Sequence, residues 1–471
     1  MKAHTKNFAC PDKDAISNGS VLDEIDGYKM ETRLVSYIFR LNYSYRHKYY
    51  LGGSYRLDGS SKLDPDHRWG NFWSVSGAWK ISEEKFMKPV ENVVTDMKLR
   101  ASYGVNATLP SDYYGYMSLS SYNYTYLQEP GLGESQMKNA DLSWETNYTT
   151  NVGTDFTLLN ALSFTVEYYN RLTRNLLIDR PISKTTGFSS YLMNIGKVRN
   201  QGWELEVRSV NFDRNDFSWI TSFNLGHNEN KILQLDGIQT EIQDGDLIHK
   251  VGHPYYTYYL REFAGINPEN GKPQYYKNKE AEDEEGNPYT DRSLTESSGS
   301  AEKILKSIDP KVTGGLSNTL KYKIFDLNFM LTYSFGGHSY DDAASKLQYS
   351  GSQPDYNIPV YYRDRWKQPG DHAKMEMFIT GKDGYMGSVT STHRFHSTDH
   401  IRLKNLTFGI SVPPTWTKKI GIDKTRLYFA ASNLWTWARY DDYDPEVREN
   451  GLAGFQTPPL KSMTFGLELN F

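Results

Sequence analysis

The sequence has little cysteine, little charge imbalance and no long hydrophobic run. Cys10 is the only cysteine, so an intramolecular disulfide bond is excluded and the redox compartment stays undetermined. The formal net charge of -4 is small for 471 residues, which argues against a nucleic-acid-binding protein. No segment approaches the run of roughly 20 apolar residues that a membrane-spanning helix needs. A protein that crosses a membrane with helices is therefore not expected.

Motifs that mark enzymes are also missing. The sequence contains no H-E-x-x-H, no Walker loop and no G-x-S-x-G. No pair of carboxylates stands out as a general acid and its base. We therefore expect no catalytic residue, no cofactor and no enzymatic activity.

Aromatic residues, in contrast, are plentiful. The chain contains 36 Tyr, 21 Phe and 10 Trp, and aromatics make up 14% of its residues, whereas all hydrophobic residues together reach only 38%. Membrane β-barrels carry aromatic girdles at both interfaces and place their lipid-facing apolar residues at every second position. The composition therefore favours a membrane barrel over several ordinary globular domains.

Alternation of polar and apolar residues recurs along the chain, as expected for strands. The last ten residues alternate without an error, and their apolar face consists of Met463, Phe465, Leu467, Leu469 and Phe471. Aromatic residues end the strands of such barrels in the interfacial girdle. The resemblance of this segment to the final strands of outer-membrane barrels implies that Phe465, Leu467, Leu469 and Phe471 act as the C-terminal signal for barrel assembly. In segment 325–335 we expect Phe325, Leu327, Phe329 and Leu331 to face lipid. Asp326, Asn328 and Thr332 are expected to face the lumen.

The alternation predicts 13 strands. They cover residues 33–45, 49–57, 71–80, 96–105, 144–157, 161–172, 200–210, 217–228, 312–320, 325–335, 399–411, 425–437 and 460–471. Short turns alternate with long links, which are expected at 106–143, 173–199, 229–311, 336–398 and 438–459. Short periplasmic turns and long extracellular loops are typical of membrane barrels. The fold class is therefore predicted as all-β, a transmembrane antiparallel up-and-down barrel.

The odd strand number is itself informative. Bacterial single-chain barrels have even strand numbers, so the barrel is expected to be incomplete. Residues 1–31 are then expected to be the tail of an extracellular loop, and residues 32–471 the C-terminal part of a barrel.

Several motifs, in order, resemble the SusC/RagA family of TonB-dependent outer-membrane transporters from Bacteroidetes. They are Arg56–Leu63, Phe72–Trp79, Glu84–Met87, Met97–Gly104, Asn194–Leu205, Arg365-Trp366, Pro369–Asp371, Leu403–Leu406, Asn433-Leu434, Tyr443–Glu446 and Pro459–Lys461. The resemblance implies a barrel of about 22 strands around an N-terminal plug, neither the front strands nor the plug being in this chain. It also implies uptake of glycans or peptides across the outer membrane, a SusD-like surface lipoprotein and a TonB-contacting segment as partners, and lipid around the barrel.

Tyr255, Tyr256, Tyr258 and Tyr259 are the best candidates for ligand contact, because aromatic faces stack on sugars and peptides. The alternative is that their rings pack the core of the longest link or join the outer girdle. Tyr113–Tyr116 and Tyr122–Tyr126 carry the same interpretation more weakly.

Two clusters have some metal-binding character. His393, His396 and His400 with Asp399 are spaced like metal ligands, and Glu282–Glu285 is acidic without the EF-hand spacing. Solvated loop residues are the favoured interpretation of both, so no metal site is predicted. Two alternatives to an importer stay open: a surface-exposed β-rich binding or adhesion protein, and a non-functional fragment of a split gene.

Overall fold

A computed structural model describes residues 2–8, 19–26, 30–126, 128–236, 239–283, 285–347, 357–378, 389–417, 421–447 and 450–470. Its dominant feature is one antiparallel sheet of 13 strands, in which every strand pairs with its neighbours in chain order. The strands are β1 (Leu34–Tyr45), β2 (Tyr49–Ser60), β3 (Trp69–Lys80), β4 (Val94–Thr108), β5 (Glu145–Leu158), β6 (Leu162–Pro181), β7 (Ser190–Arg214), β8 (Phe217–Gln234), β9 (Val312–Tyr322), β10 (Phe325–Phe335), β11 (His400–Val412), β12 (Lys424–Ala438) and β13 (Ser462–Asn470). The predicted all-β up-and-down sheet is confirmed. Among the described residues the sheet is not closed, and β1 and β13 are its edges.

The bounds of β6 and β7 differ from the prediction. Residues 173–199 were expected to be a long link, but the two strands continue as a paired hairpin and leave only 182–189 between them. Ile178 and Val198 of this extension are buried in a cluster with Ile232. The polar–apolar alternation is lost in this extension because it packs against loops. It no longer has one face in lipid and the other in water.

Two of the short turns are tight two-residue hairpins. In the turn after β5, Leu159 and Asn160 both have positive φ, at 51° and 54°, and the Ala161 N–H donates to the Leu158 carbonyl at 3.0 Å. Arg46 and His47 adopt the same geometry after β1. A right-handed strand twist favours this type I′ turn, since it lets adjacent strands pair without splaying.

The register gives the large sheet one apolar and one polar face. Leu327 lies opposite Leu320 of β9 and Phe408 of β11, Phe408 lies opposite Phe429 of β12, and Phe429 opposite Phe465 of β13. Side chains on one face of a sheet alternate with period two, so these residues share a face. The described hollows of the large sheet open on the opposite face, where charged side chains are paired.

The long links carry small sheets and short helices. Their strands are Leu119–Tyr126, Glu129–Gln136, Glu241–Asp244, Leu247–Lys250, Thr257–Arg261, Phe263–Ile266, Pro273–Tyr276, Lys279–Glu282, Pro288–Asp291, Leu294–Thr295, Lys303–Ser307, His338–Asp341, Phe395–Ser397 and Leu452–Ala453. The α-helices are Asp342–Leu347 and Pro414–Thr417, and the 3-10 helices are Ile81–Glu83, Lys85–Val90, Lys184–Thr186, Ser298–Ser300, Val360–Asp364 and Thr392–Arg394. No described helix is long and apolar enough to cross a membrane.

Residues 1–31 contain a separate hairpin of Lys2–Phe8 and Gly19–Asp26, which is not paired with the large sheet among the described residues. The predicted division at residues 31 and 32 stays a prediction.

Candidate ligand-binding and membrane-assembly sites

The long links on one rim of the sheet build a loop assembly with its own hydrophobic core. We use this name for the described residues of 235–311, 336–399 and 439–461. Thr257–Arg261 pairs with Lys303–Ser307, and His338–Asp341 pairs with both Phe395–Ser397 and Leu452–Ala453. Strands from distant parts of the chain thus hold one another in place. A site in this assembly is positioned by packed strands.

The four candidate tyrosines lie in this assembly but in different surroundings. The Tyr258 ring is buried and stacks on Tyr340 at 5.5 Å, and its hydroxyl donates to the Asn450 carbonyl at 3.2 Å. Burial and the nearby Tyr340 and acidic groups raise the pKa of Tyr258 well above its ordinary value. This side chain therefore serves as core.

The other three tyrosines are half-buried. Tyr255 stacks on His249 at 4.3 Å and meets Tyr256 edge-on at 5.1 Å. The Tyr259 ring carries the Lys303 ammonium 5.1 Å from its centroid, so a cation already occupies one face. Ligand contact by the four tyrosines stays a prediction, and Tyr256 and Tyr259 are its better candidates.

A buried ion-pair cluster fastens the loop after β12 to the wall of the sheet. Arg402 of β11 is only 1% exposed, and its Nη2 donates to both carboxylate oxygens of Asp444, at 2.8 and 2.7 Å. Glu446 lies 3.4 Å from Arg402 Nη1 and 3.0 Å from Lys404 Nζ. Lys404, Asp444 and Glu446 stood in recognised sequence motifs and Arg402 lies next to one of them, but no spacing in the sequence signalled that these residues meet.

His393 and His396, which were expected to be loop residues, each pack against a different aromatic ring. His393 packs against Phe263 at 4.7 Å, and His396 stacks on Tyr440 at 3.7 Å. Burial lowers the pKa of His393 to about 4, and the charge on His396 adds to the effect. Burial also lowers the pKa of His396 to about 4, although Asp442 opposes it. Among the described residues no group of three acidic, His or Cys side chains is placed to hold a metal ion.

The acidic segment 282–285 forms a turn closed by its own side chains. The Asp283 carboxylate accepts from the backbone N–H groups of Glu285 and Asn287, at 2.9 and 2.8 Å. The Asn287 side-chain amide also donates to this carboxylate at 3.0 Å, and this bond, followed by the backbone bonds, holds the pKa of Asp283 below its ordinary value. Glu284 lies outside the described residues.

The polar face of the sheet holds a hollow of about 520 Å³. Glu167, Glu204 and Glu206 line it together with Arg100. Arg100 Nη2 lies 2.6 Å from Glu167, and its Nε lies 3.3 Å from Asp155. Arg100 thus pairs with an acidic residue on the adjacent strand and with another on the strand beyond it, whereas Glu204 and Glu206 form no ion pair among the described residues.

The final strand presents the predicted assembly residues on the apolar face. Phe465 is 82% exposed and Leu467 is 59% exposed, and Leu469 also lies on the surface. Phe465 packs on Phe429 with 5.0 Å between ring centroids. Phe471 lies outside the described residues. A role of these residues in assembly stays a prediction.

Comparisons with known proteins match nearly the whole chain. A family model described as TonB dependent receptor-like, beta-barrel covers residues 13–370. The chain is 29% identical to TonB-dependent receptor P3 of Formosa agariphila, over 97% of this chain and 47% of that protein. It is 30% identical to TonB-dependent receptor SusC of Bacteroides thetaiotaomicron, over 96% of this chain and 45% of that protein.

Solved structures agree with these relatives. The RagAB peptide transporter is similar with a TM-score of 0.86 and 26% identity, over 98% of this chain and 51% of that chain. The RagAB peptide importer in its open-open state gives a TM-score of 0.84 and 25% identity, over 98% and 50% of the two chains. The chain spans about half the length of the curated relatives it matches.

Proposed function

This chain belongs to the TonB-dependent receptor β-barrels of the SusC/RagA family, and we propose that it forms the C-terminal barrel portion of a nutrient importer. The family consists of outer-membrane transporters and receptors, so the chain is an outer-membrane protein and its apolar face meets lipid. The observation that carries the proposal is the match of the open 13-strand sheet to RagAB over 98% of this chain.

We propose oligosaccharides or peptides as the imported substrate. SusC and the RagAB peptide transporter are both relatives of this chain, and the loop assembly supplies aromatic rings on the rim where a ligand would first meet the protein. Aromatic side chains bind sugars and peptides at low entropic cost because few torsions become fixed. A SusD-like lipoprotein is the proposed partner at this rim.

The remaining parts of the mechanism lie in the half of the relatives that this chain does not cover. We expect a plug and a TonB-contacting segment there, with the polar face of the sheet forming part of the wall around the plug. Arg100 is already paired with Glu167 and Asp155 within the sheet. Movement of such a plug along this face would therefore leave none of these three charges buried without a partner. We expect no catalysis by any residue of this chain.

Uptake by living cells tests the proposal. Deleting the gene should abolish uptake of either a fluorescent oligosaccharide set or a fluorescent peptide set, and restoring the gene should recover that uptake. Collapse of the proton-motive force should stop the recovered uptake. Surface binding that persists without any energy-dependent internalisation would instead support an adhesion protein.

Two tyrosines provide a matched test of ligand contact. We expect Tyr259→Ala to weaken uptake and Tyr289→Ala, at an exposed ring of the same long link, to leave it unchanged. Equal uptake by the two variants would remove Tyr259 from the ligand site. Tyr258→Ala is unsuitable because that ring is part of the core.

A further inference from the structure

The link between β3 and β4 is longer than the other turns on the same rim and is chemically distinct. The turns after β1 and β5 are tight hairpins, whereas this link contains the 3-10 helices Ile81–Glu83 and Lys85–Val90. Phe86, Val90 and Val93 of this link are 63%, 42% and 53% exposed. Lys85, Lys88 and Glu91 of the same link are also exposed, whereas Glu84 is paired with Lys48. An exposed segment that combines apolar and basic side chains fits a membrane interface.

Contacts place the start of the link on the lipid-facing side of the sheet. Trp79 lies opposite Tyr49 and Leu99 and therefore on the apolar face. The Phe86 ring meets the Trp79 ring edge-on, with 6.5 Å between the centroids. Phe86 thus extends the lipid-facing surface beyond the end of the strand, and the link is continuous with the established lipid interface.

Glu84 fixes this arrangement. Its Oε1 accepts from the Tyr49 hydroxyl at 2.6 Å and from the Trp79 indole N–H at 3.2 Å, and its Oε2 lies 3.1 Å from Lys48 Nζ. Two girdle aromatics and one lysine are therefore tied to the residue immediately before the second helix. Pre-ordering of this kind lowers the entropy lost when the segment meets a surface.

We propose that residues 84–93 are an interfacial anchor that binds anionic phospholipid in the leaflet on the short-turn side. Phe86, Val90 and Val93 enter the acyl boundary, and Lys85 and Lys88 contact headgroup phosphates. Short turns are periplasmic in outer-membrane barrels, so the leaflet is the periplasmic one. The inference rests on the outer-membrane location of the family and not on the proposed import, so a failed uptake experiment leaves it unaffected.

Insertion is tested by lipid-dependent quenching in the full-length protein. Bimane is attached to Val90→Cys, or to Asp216→Cys in the tight turn between β7 and β8, both in a Cys10→Ser background. Vesicles contain phosphatidylglycerol with brominated acyl chains. We expect severalfold stronger quenching at position 90 than at position 216. Equal quenching at the two positions would overturn the insertion.

Headgroup binding is tested by counting phosphatidylglycerol molecules retained by the purified protein in native mass spectrometry. The double variant Lys85→Gln/Lys88→Gln should lose retained lipid. Lys98→Gln/Lys321→Gln is the matched control, because both lysines lie near the same rim but on the polar face of the sheet, in the rows of Arg100 and Asp326. Equal retention by the two double variants would overturn the assignment of Lys85 and Lys88, and heat-modifiable mobility confirms that each variant is folded.

Discussion

Leu467 and Thr464 lie on opposite faces of β13, Leu467 opposite Leu427 and Thr464 opposite Ala430. At the scale of single residues, this alternation decides which side chains meet lipid. The period-two pattern predicted which side chains of β10 and β13 share a face, because a strand separating lipid from water imposes the alternation locally, whereas their contact with lipid or lumen stays a prediction. Arg402 was not predicted as a buried anchor, since its partner Asp444 is distant in sequence and only the fold brings them together.

The first prediction concerns charge on the lipid-facing side. Leu467→Arg should destabilise the folded barrel by roughly 2–4 kcal/mol, because a cation near the midplane loses its hydration. Thr464→Arg, on the polar face of the same strand, should cost much less. The measurement is denaturant unfolding of the full-length protein in lipid vesicles, and equal losses for the two variants would contradict the assigned faces.

The second prediction concerns the ion-pair cluster. Arg402→Gln removes the buried ion-pair partner of Asp444 and should cost about 3 kcal/mol of local stability, since breaking a buried pair leaves the other member uncompensated. Lys404→Gln should cost less than about 1 kcal/mol because Lys404 is one-third exposed. Limited proteolysis within the described residues of 439–459 measures both. Indistinguishable cleavage rates would show that Arg402 does not hold the loop.

At the scale of elements, the strands within the large sheet were predictable and the loop assembly was not. The sheet strands carry a repeated pattern, whereas the strands of the loop assembly are two to five residues long and several of them pair with segments far away in the chain. The β6–β7 extension was missed for the same reason, since its partner Ile232 comes from β8. The candidate tyrosines lie in the long link where the sequence analysis placed them, but burial of Tyr258 depends on Tyr340 and Phe395, which no local pattern indicates.

The third prediction is a pH dependence of the loop assembly. His393 and His396 have a pKa of about 4 in the folded loops, against 6.5 ordinarily, so the opened loops bind more protons between these values. Stability of the assembly should therefore be constant above pH 6.5 and fall as the pH drops from 6.5 towards 4. Protease resistance across this range is the readout. The double variant His393→Gln/His396→Gln should flatten the profile, and an unchanged profile would refute the assignment.

The fourth prediction concerns the last strand. Deleting Phe471 should mainly lower the amount of protein that reaches the outer membrane, because Phe471 belongs to the alternating segment that is predicted to set the register of β13, and a slip of one residue would exchange the two faces of that strand. Leu467→Arg should instead lower the stability of the protein that does insert. Membrane abundance and melting of the full-length variants separate the two effects. Parental abundance after deletion of Phe471 would reject its assembly role.

At the scale of the whole molecule, this chain consists of the 13-strand sheet and the loop assembly at one end of its strands. The sheet is open among the described residues, with β1 and β13 at its edges, and the chain spans about half the length of its relatives. Unpaired strand edges are not tolerated in lipid, so the proposed importer needs further strands to close the barrel. Topology and strand number followed from the sequence because they are repeated local patterns. Substrate choice did not, because it depends on how distant loops meet.

Cysteine accessibility along β10 tests the membrane-barrel account most directly. In the full-length protein in native membranes, single cysteines at positions 326, 328 and 332 are expected to line the water-filled lumen. They should therefore react with a charged, membrane-impermeant thiol reagent that reaches the lumen. Cysteines at 327, 329 and 331 should stay unreactive but be labelled by a lipid-soluble reagent. Strict alternation is the predicted result, and uniform or inverted labelling would contradict the account.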